Sequence, residues 1–233
     1  MIFLVVASLI AYCYLILILF SIRGWMKKSN YLPTEHSYPF CSVVIAARNE
    51  EKSIENTINS LLAQTYPDDC FEIIVTDDHS SDNTLQILSK IAEQHENLIV
   101  ISAYEQSKGK KQALQLALQQ AKGNLILFTD ADCIVGKDWI ESYVSFADNH
   151  KGNLYFGNVI PNITNESNVL EKCFALDFIG ILGVQNGLAT IGHPFSCNGA
   201  NMCITKSFYK QAYDTNSQFS SGDDVFLLHK AKK

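Results

Sequence analysis

The stretch Gly123-Asn124-Leu125-Ile126-Leu127-Phe128-Thr129-Asp130-Ala131-Asp132 decides the fold. Its apolar and β-branched run after Gly123 predicts a buried strand, so two carboxylates emerge together at its C-terminal end, where open α/β sheets bind ligands. Side chains two apart on an extended segment project to the same side, and Asp130 and Asp132 are therefore expected to face one ligand. Two hard anionic oxygens there suit a divalent cation carrying a phosphorylated molecule. An isolated Asp-x-Asp at a strand end is more often a turn or a helix cap, so the case depends on the rest of the chain.

Upstream, strands and helices alternate. Ser42 to Ala46 reads as a strand, followed by a helix whose Ile54, Ile58, Leu61 and Leu62 fall at the spacing of one buried face, with Pro67 as its stop. Glu72 to Thr76 reads as the next strand. A capped start at Ser80 or Ser81 then predicts a helix carrying Leu85, Leu88, Ile91 and Ala92. Leu98 to Ile101 is a third strand, and Lys110 to Ala121 a third helix. Such alternation with short connections implies a parallel sheet with helices on both faces. Beyond Asp138, Asn153 to Val159 reads as a strand, Leu170 to Leu182 as a mainly apolar helix, and Met202 to Thr205 as a strand.

Three further constellations fall on loops of this scaffold. Thr76-Asp77-Asp78-His79-Ser80-Ser81-Asp82-Asn83-Thr84 joins adjacent carboxylates to hydroxyls at a helix start, which suits either capping or a grip on the N–H and O–H donors of a base or ribose. Lys108-Gly109-Lys110-Lys111 places cations at a helix N-terminus, a favourable setting for a diphosphate; a solvated basic turn is the plainer alternative. Ser221-Gly222-Asp223-Asp224 enters an apolar helical stretch, where one carboxylate can cap the helix and the other act as a base.

The N-terminus is of another kind. Ile2 to Ile22 carries no charge and is long enough to cross a bilayer as a helix. No Lys or Arg precedes it and no small-x-small cleavage site follows it, which favours an anchor over a cleaved signal peptide. Arg23, Lys27 and Lys28 crowd its C-terminal flank, so the remainder is expected in the cytoplasm, with Trp25 and Tyr31 at the interface. The expected organisation is an anchor over residues 1–23, a linker over 24–39 and one α/β domain over 40–233. The seven scattered cysteines form neither a disulfide framework nor a zinc spacing, and the sequons at Asn162 and Asn165 carry no weight in a cytoplasmic domain. The net charge of −6 argues against a nucleic-acid surface.

Taken in order, Ala47-Arg48-Asn49-Glu50-Glu51, Asp77 to Thr84, Gly109 to Leu114, Thr129 to Asp132, Asn198-Gly199-Ala200-Asn201-Met202 and Gly222-Asp223-Asp224 resemble the family-2 glycosyltransferases over about residues 40 to 230. The resemblance implies an α/β GT-A nucleotide-diphospho-sugar transferase fold with a mostly parallel central sheet, a divalent metal (Mg2+ or Mn2+), and sugar transfer with inversion. It further implies a nucleotide-sugar donor, UDP-linked by default, and a glycan or lipid acceptor at the membrane. By motif position Asp78 contacts the nucleobase, Asp130 the ribose or sugar, and Asp132 the metal; Asp224 is the general base, with Asp223 beside it. Glu50 and Lys110 lie on the nucleotide side, and Asn198, Gly199 and Asn201 on the acceptor side. Many membrane-bound members carry a Gln-x-x-Arg-Trp element after the base. This sequence ends at Lys233 without it, so a C-terminally truncated domain is expected. A nucleotidylyltransferase would need a Gly-rich loop where Ala46 to Glu50 stand, and an Asp-x-Asp phosphatase would place its nucleophile after the first strand. A non-catalytic nucleotide-sugar-binding scaffold is the remaining alternative.

Overall fold

The computed structural model describes residues 2–27, 38–104, 109–163, 168–213 and 223–232. Lys28, Tyr31, Lys108, Thr164 to Ser167, Ser221 and Gly222 lie outside the described residues, as does the side chain of Asp223. The elements are α1 (Ile2–Met26), β1 (Cys41–Ala47), α2 (Ile54–Leu62), β2 (Phe71–Asp77), α3 (Thr84–Ala92), β3 (Leu98–Ser102), α4 (Lys110–Gln120), β4 (Leu125–Thr129), α5 (Trp139–Asn149), β5 (Leu154–Phe156), α6 (Val169–Thr190), β6 (Asn201–Thr205), α7 (Lys206–Tyr213) and α8 (Asp223–Ala231). They fall into two compact units, Met1–Asn30 with Asn158–Cys197, and Tyr31–Gly157 with Asn198–Lys233.

The second unit is built on a six-stranded sheet of order β3-β2-β1-β4-β6-β5. Parallel pairing joins β1 to both β2 and β4, and β2 to β3. The sheet is not parallel throughout, as strand and helix alternation alone predicts. β6 enters beside the end of β4, with Asn201 opposite Thr129, and runs back antiparallel to β4 and to β5. Between β4 and β6 the chain passes through α5, β5 and α6, and not through one crossover helix of the kind that joins parallel neighbours.

β2 is buried at every position and β1 at all but one, as befits strands covered on both faces. One core cluster joins Val43, Ile45, Ile73 and Val75 to Ile54, Ile58 and Leu61 of α2, Leu88 of α3, and Ile140 and Val144 of α5. α4 buries Ala113, Ala117 and Leu118 and packs on β1 and β2. At the N-terminal edge of the strands the buried Glu72 carboxylate accepts from Ser42 Oγ at 2.7 Å and from Lys122 N at 2.6 Å, and Gly123 N donates to Ser42 Oγ at 2.8 Å. This lock fixes β1, β2 and β4 at the end opposite the acidic loops.

Four boundaries differ from the sequence reading by three residues or more. α1 runs on to Met26, past the expected end of the anchor at residue 23. α3 starts at Thr84 and not at Ser80 or Ser81, because residues 78 to 83 are spent on inter-loop hydrogen bonds. β5 is shorter than residues 153–159, and α6 continues to Thr190. α5 and α7 carry no expectation above, although the buried Ile140, Tyr143 and Val144 of α5 recur at helical spacing.

In the first unit α1 crosses α6 at a point where a Cβ on Gly24 would lie 1.8 Å from the Gly187 carbonyl oxygen. Only backbones without side chains approach so closely, which is how apolar helices associate where no hydrophobic drive separates them from lipid. Trp25 Nε1 donates to the Gly183 carbonyl at 2.8 Å beside that contact. Both α1 and α6 are long and apolar enough to cross a membrane.

Candidate functional site

In this strand order the chain moves outward from β1 to β2 and β3, then returns to place β4 on the other side of β1. A ligand crevice forms at such a reversal, outside the C-terminal ends of the two strands. Here those ends release Arg48-Asn49-Glu50 from β1 and Asp130-Ala131-Asp132 from β4, with Asp78 following the neighbouring β2.

The loops after β1 and β2 are sewn together. Asn49 takes the left-handed conformation at φ 57°; its N–H donates to Ser80 Oγ at 2.9 Å and its Oδ1 accepts from Ser81 N at 2.8 Å. Glu50 N donates to Thr84 Oγ1 at 2.8 Å, and the Glu50 carboxylate accepts from Ser53 Oγ at 2.6 Å. Glu51 Oε2 accepts from both the N–H and the Nδ2 of Asn83. Burial acts to raise the pKa of the Asp82 carboxyl, but hydrogen bonds from Thr84 Oγ1, Thr84 N and Glu51 N outweigh it and hold the group below its usual value.

The two adjacent carboxylates divide their work. Asp77 stays with its own loop, accepting from Ser80 N at 3.2 Å, while its other oxygen is buried with no hydrogen-bond partner among the described residues. Asp78, only 3 % exposed, reaches the start of α4, where Gly109 N donates to its two oxygens at 3.2 and 3.0 Å. Gly109 sits at φ 100°, a conformation strained for any residue with a Cβ. His79, itself left-handed at φ 59°, and Arg48 add contacts to Asp78 at 3.1 and 3.8 Å. One residue beyond Gly109, Lys110 Nζ pairs with Asp130 Oδ1 at 2.6 Å. Asp78, α4 and Asp130 thus form a polar line from β2 to β4 across the end of β1.

Asp130 and Asp132 are not presented on one extended face. Cys133 N donates to the Asp130 carbonyl at 3.2 Å, closing a turn, and Ala131 is buried with its carbonyl held by Thr57 Oγ1 at 2.8 Å. The buried alanine anchors the turn, which leaves Asp130 with Lys110 and Asp132 exposed to solvent. The only partner of the Asp132 carboxylate among the described residues is the Cys133 thiol, 3.6 Å from Oδ1. Burial, and then the charges of Asp132 and Asp130, push that thiol's pKa up to about 11, so it supplies no thiolate near neutrality.

Asn198, Gly199 and Asp224 come together. The Asn198 carbonyl and Oδ1 accept from Asn201 N and Ala200 N, forming a tight turn before β6. Gly199 N donates to Asp224 Oδ2 at 3.3 Å, while Asp224 Oδ1 accepts from Val225 N at 2.8 Å. Asn201 instead joins the framework: its Oδ1 accepts from Trp139 Nε1 at 2.8 Å and from Tyr143 Oη at 2.7 Å. Burial raises the Tyr143 phenol well above its usual range, keeping it a neutral donor. A cavity of about 420 Å³ opens beside this bond, lined by Trp139, Tyr143, Phe146, Tyr155 and Phe156 among others. The α5 periodicity was the available sequence signal for Trp139 and Tyr143.

No group of three or more His, Cys, Asp or Glu side chains among the described residues could cage a metal. An exposed Asp132 beside Asp130 offers one or two hard oxygens. That suits Mg2+ or Mn2+, which keep waters and share ligation with substrate phosphates, and does not suit zinc.

The family model described as Glycosyl transferase family 2 matches residues 42–198. The poly-beta-1,6-N-acetyl-D-glucosamine synthase of Staphylococcus epidermidis is 32% identical over 201 residues, covering 83% of this chain and 46% of the relative. Among solved structures, Staphylococcus aureus TarS 1–349 in complex with UDP-GlcNAc superposes with a TM-score of 0.59 at 26% identity, over 83% of this chain and 53% of the other. The mannosyltransferase PcManGT of Pyrobaculum calidifontis, in complex with GDP-Man and Mn2+, gives 0.70 at 21% identity over 96% and 61%, a likeness of fold. The chain spans under half the length of the curated relatives it matches.

Proposed function

Since the chain belongs to glycosyl transferase family 2, whose mixed α/β sheet of GT-A type it shares, we propose that its sheet unit transfers a sugar from a nucleotide-diphospho-sugar, UDP-linked by default, to a hydroxyl of a glycan or lipid acceptor. The observation that carries this reading is the polar line from Asp78 through Gly109 and Lys110 to Asp130, laid across the C-terminal ends of β2, β1 and β4. It offers acceptors for a base at one end and for a ribose or sugar at the other, with a cation between them.

In this reading Asp78 receives N–H donors of the base, using lone pairs that Gly109 leaves open, since a carboxylate has about four such positions. Glu50 lies beside it on the nucleotide side, and Asp130 takes ribose or sugar hydroxyls. Lys110 swings from Asp130 toward the diphosphate as the donor enters, where its charge offsets that of the leaving group. A divalent cation held by Asp132, when bound, supplies the further neutralisation of the diphosphate. Asp224 takes the proton of the acceptor hydroxyl as its oxygen attacks the anomeric carbon. The bond from that carbon to the diphosphate oxygen breaks on the opposite side, and configuration inverts. Asp223 orients Asp224 or the acceptor, while the Asn198-Gly199 turn positions the Asp224 carboxylate and borders the acceptor. Asn201 supports that turn from the framework.

Residues 1–23 form the anchor in this proposal, 24–39 the linker and 40–233 the catalytic domain, whose sheet unit lies on the cytoplasmic side, in accord with the basic flank of α1. A lipid-linked or cell-surface glycan as acceptor accords with such an anchor. The test is transfer from radiolabelled nucleotide-sugars by the full-length protein in membranes, with and without Mn2+. Donor binding without turnover across a panel of sugars and acceptors would identify a scaffold and reject the enzyme.

A further inference from the structure

The first unit contains a cavity of about 520 Å³ bounded by Phe20, Arg23 and Lys27 of the α1 end and by Ile191 and His193 after α6. Among the described residues, the side chains of Arg23, Lys27 and His193 make no hydrogen bond or ion pair, so a guanidinium, an ammonium and an imidazole face one space without a carboxylate. Their positions are built. α6 ends in a Schellman arrangement: His193 N donates to the Leu188 carbonyl at 2.9 Å and Gly192 N to the Ala189 carbonyl at 3.0 Å, with Gly192 at φ 90°. This turn delivers His193 to the side of α1, whose approach is fixed by the Gly24–Gly187 contact.

A guanidinium fork beside an ammonium suits the oxygens of a phosphate, the one acting through directed N–H groups and the other as a point charge. The same space has an apolar side, Phe20 and Ile191, and is continuous with the exposed apolar surface of α1 at Leu19 and Ile22. A free anion has no use for that surface, whereas a lipid fills both parts. We propose that this cavity seats the phosphate headgroup of a membrane lipid, with its acyl chains along α1. The assignment rests on the reading of α1 as a membrane anchor. Its consequence is that the unit selects phosphate-bearing anionic lipid at the end of its span, rather than merely lying in any bilayer.

The experiment uses the full chain purified in a neutral detergent, with dioctanoyl phosphatidic acid as probe and native mass spectrometry as readout. Dioctanoyl phosphatidylcholine and inorganic phosphate are the control arms. The expected result is saturable binding of phosphatidic acid, weakened roughly fivefold for each charge removed in Arg23→Gln and Lys27→Gln, weakened in His193→Ala, and weakened less in Arg23→Lys than in Arg23→Gln. Equal binding by the parent and all three charge- or donor-removing variants overturns the site. Equal binding of phosphatidylcholine overturns the phosphate selectivity, and displacement by inorganic phosphate at the same concentration overturns the lipid assignment in favour of a free-anion site. A carbonate wash of membranes separates the two readings. Retention of parent and variants alike leaves the anchor standing whatever the lipid result, whereas release of the parent overturns the anchor and this site with it.

Discussion

The loops after β1 and β2 and the loops around β4 and α8 hold carboxylates in opposite ways. On the first side Asp77 and Asp78 are each 3 % exposed and Asp78 already accepts from a backbone amide fixed by a strained glycine. On the second side Asp132 is exposed and Asp130 is tied by a single lysine that is itself largely in water. The fold meets the desolvation of Asp78 at both oxygens and that of Asp77 at one, so most of that side is set before any ligand arrives. The exposed carboxylates keep their hydration until a ligand replaces it. The difference teaches where a substitution shows itself: as stability on the ordered side, and as binding or rate on the open side.

The largest effect is expected at Asp224. Asp224→Asn in the full-length enzyme lowers the transfer rate by a factor of roughly 10² to 10⁴ with donor affinity nearly unchanged, since the proton it receives moves only in the transition state. A folded variant working at the parental rate rejects the assignment and makes Asp223 the next residue to change.

Asp132→Asn sharpens the comparison from the open side. It removes charge without volume, so most Mn2+-dependent binding of the nucleoside diphosphate is lost while the melting temperature is kept. Calorimetry with and without Mn2+ reads the first quantity and thermal unfolding the second. Unchanged affinity would mean that the metal sits elsewhere.

From the ordered side, Gly109→Ala forces a Cβ onto a backbone at φ 100° and disturbs the amide that Asp78 holds. It is expected to cost about 1–3 kcal/mol of stability, and Asp78→Asn to weaken donor binding in addition to stability. If both variants melt with the parent, the ordered side is no more built than the open one and the contrast fails.

The smallest effect is a pH signature at Asp82. Its carboxyl pKa is lowered in the fold, so the stabilisation is complete above the unfolded-state carboxylate pKa of about 3.9 and lost as pH falls through the lower folded value. Asp82→Asn should therefore narrow the stability difference from the parent as acid is added. A gap that widens in acid would contradict the hydrogen bonds from Thr84.

Much of this was legible beforehand. The βα units from Cys41 to Thr129 announce themselves through continuous apolar strands and helices of regular spacing, and Lys110, Asp130, Asp78 and Glu50 fall at loop positions that the strand order then gathers. The antiparallel entry of β6 was not legible, because a strand reached from a different unit carries the same composition as one reached through a crossover. The motif places Asn201 on the acceptor side, and its Oδ1 accepts from Trp139 and Tyr143 of α5, a helix for which the sequence carries no expectation above.

Strand ends, apolar helices and the places where charge collects are local matters, because periodicity and burial tendency are properties of neighbours along the chain. How those residues are used depends on contacts between distant segments. Thr57 holds the Ala131 carbonyl and so fixes the turn that carries Asp130 and Asp132; Gly109 pairs with Asp78 and not with Asp77; Gly187 admits Gly24. Each of these is one contact between distant segments, made because a buried carbonyl, carboxylate or backbone must find a partner in three dimensions, and no local pattern records which partner will be there.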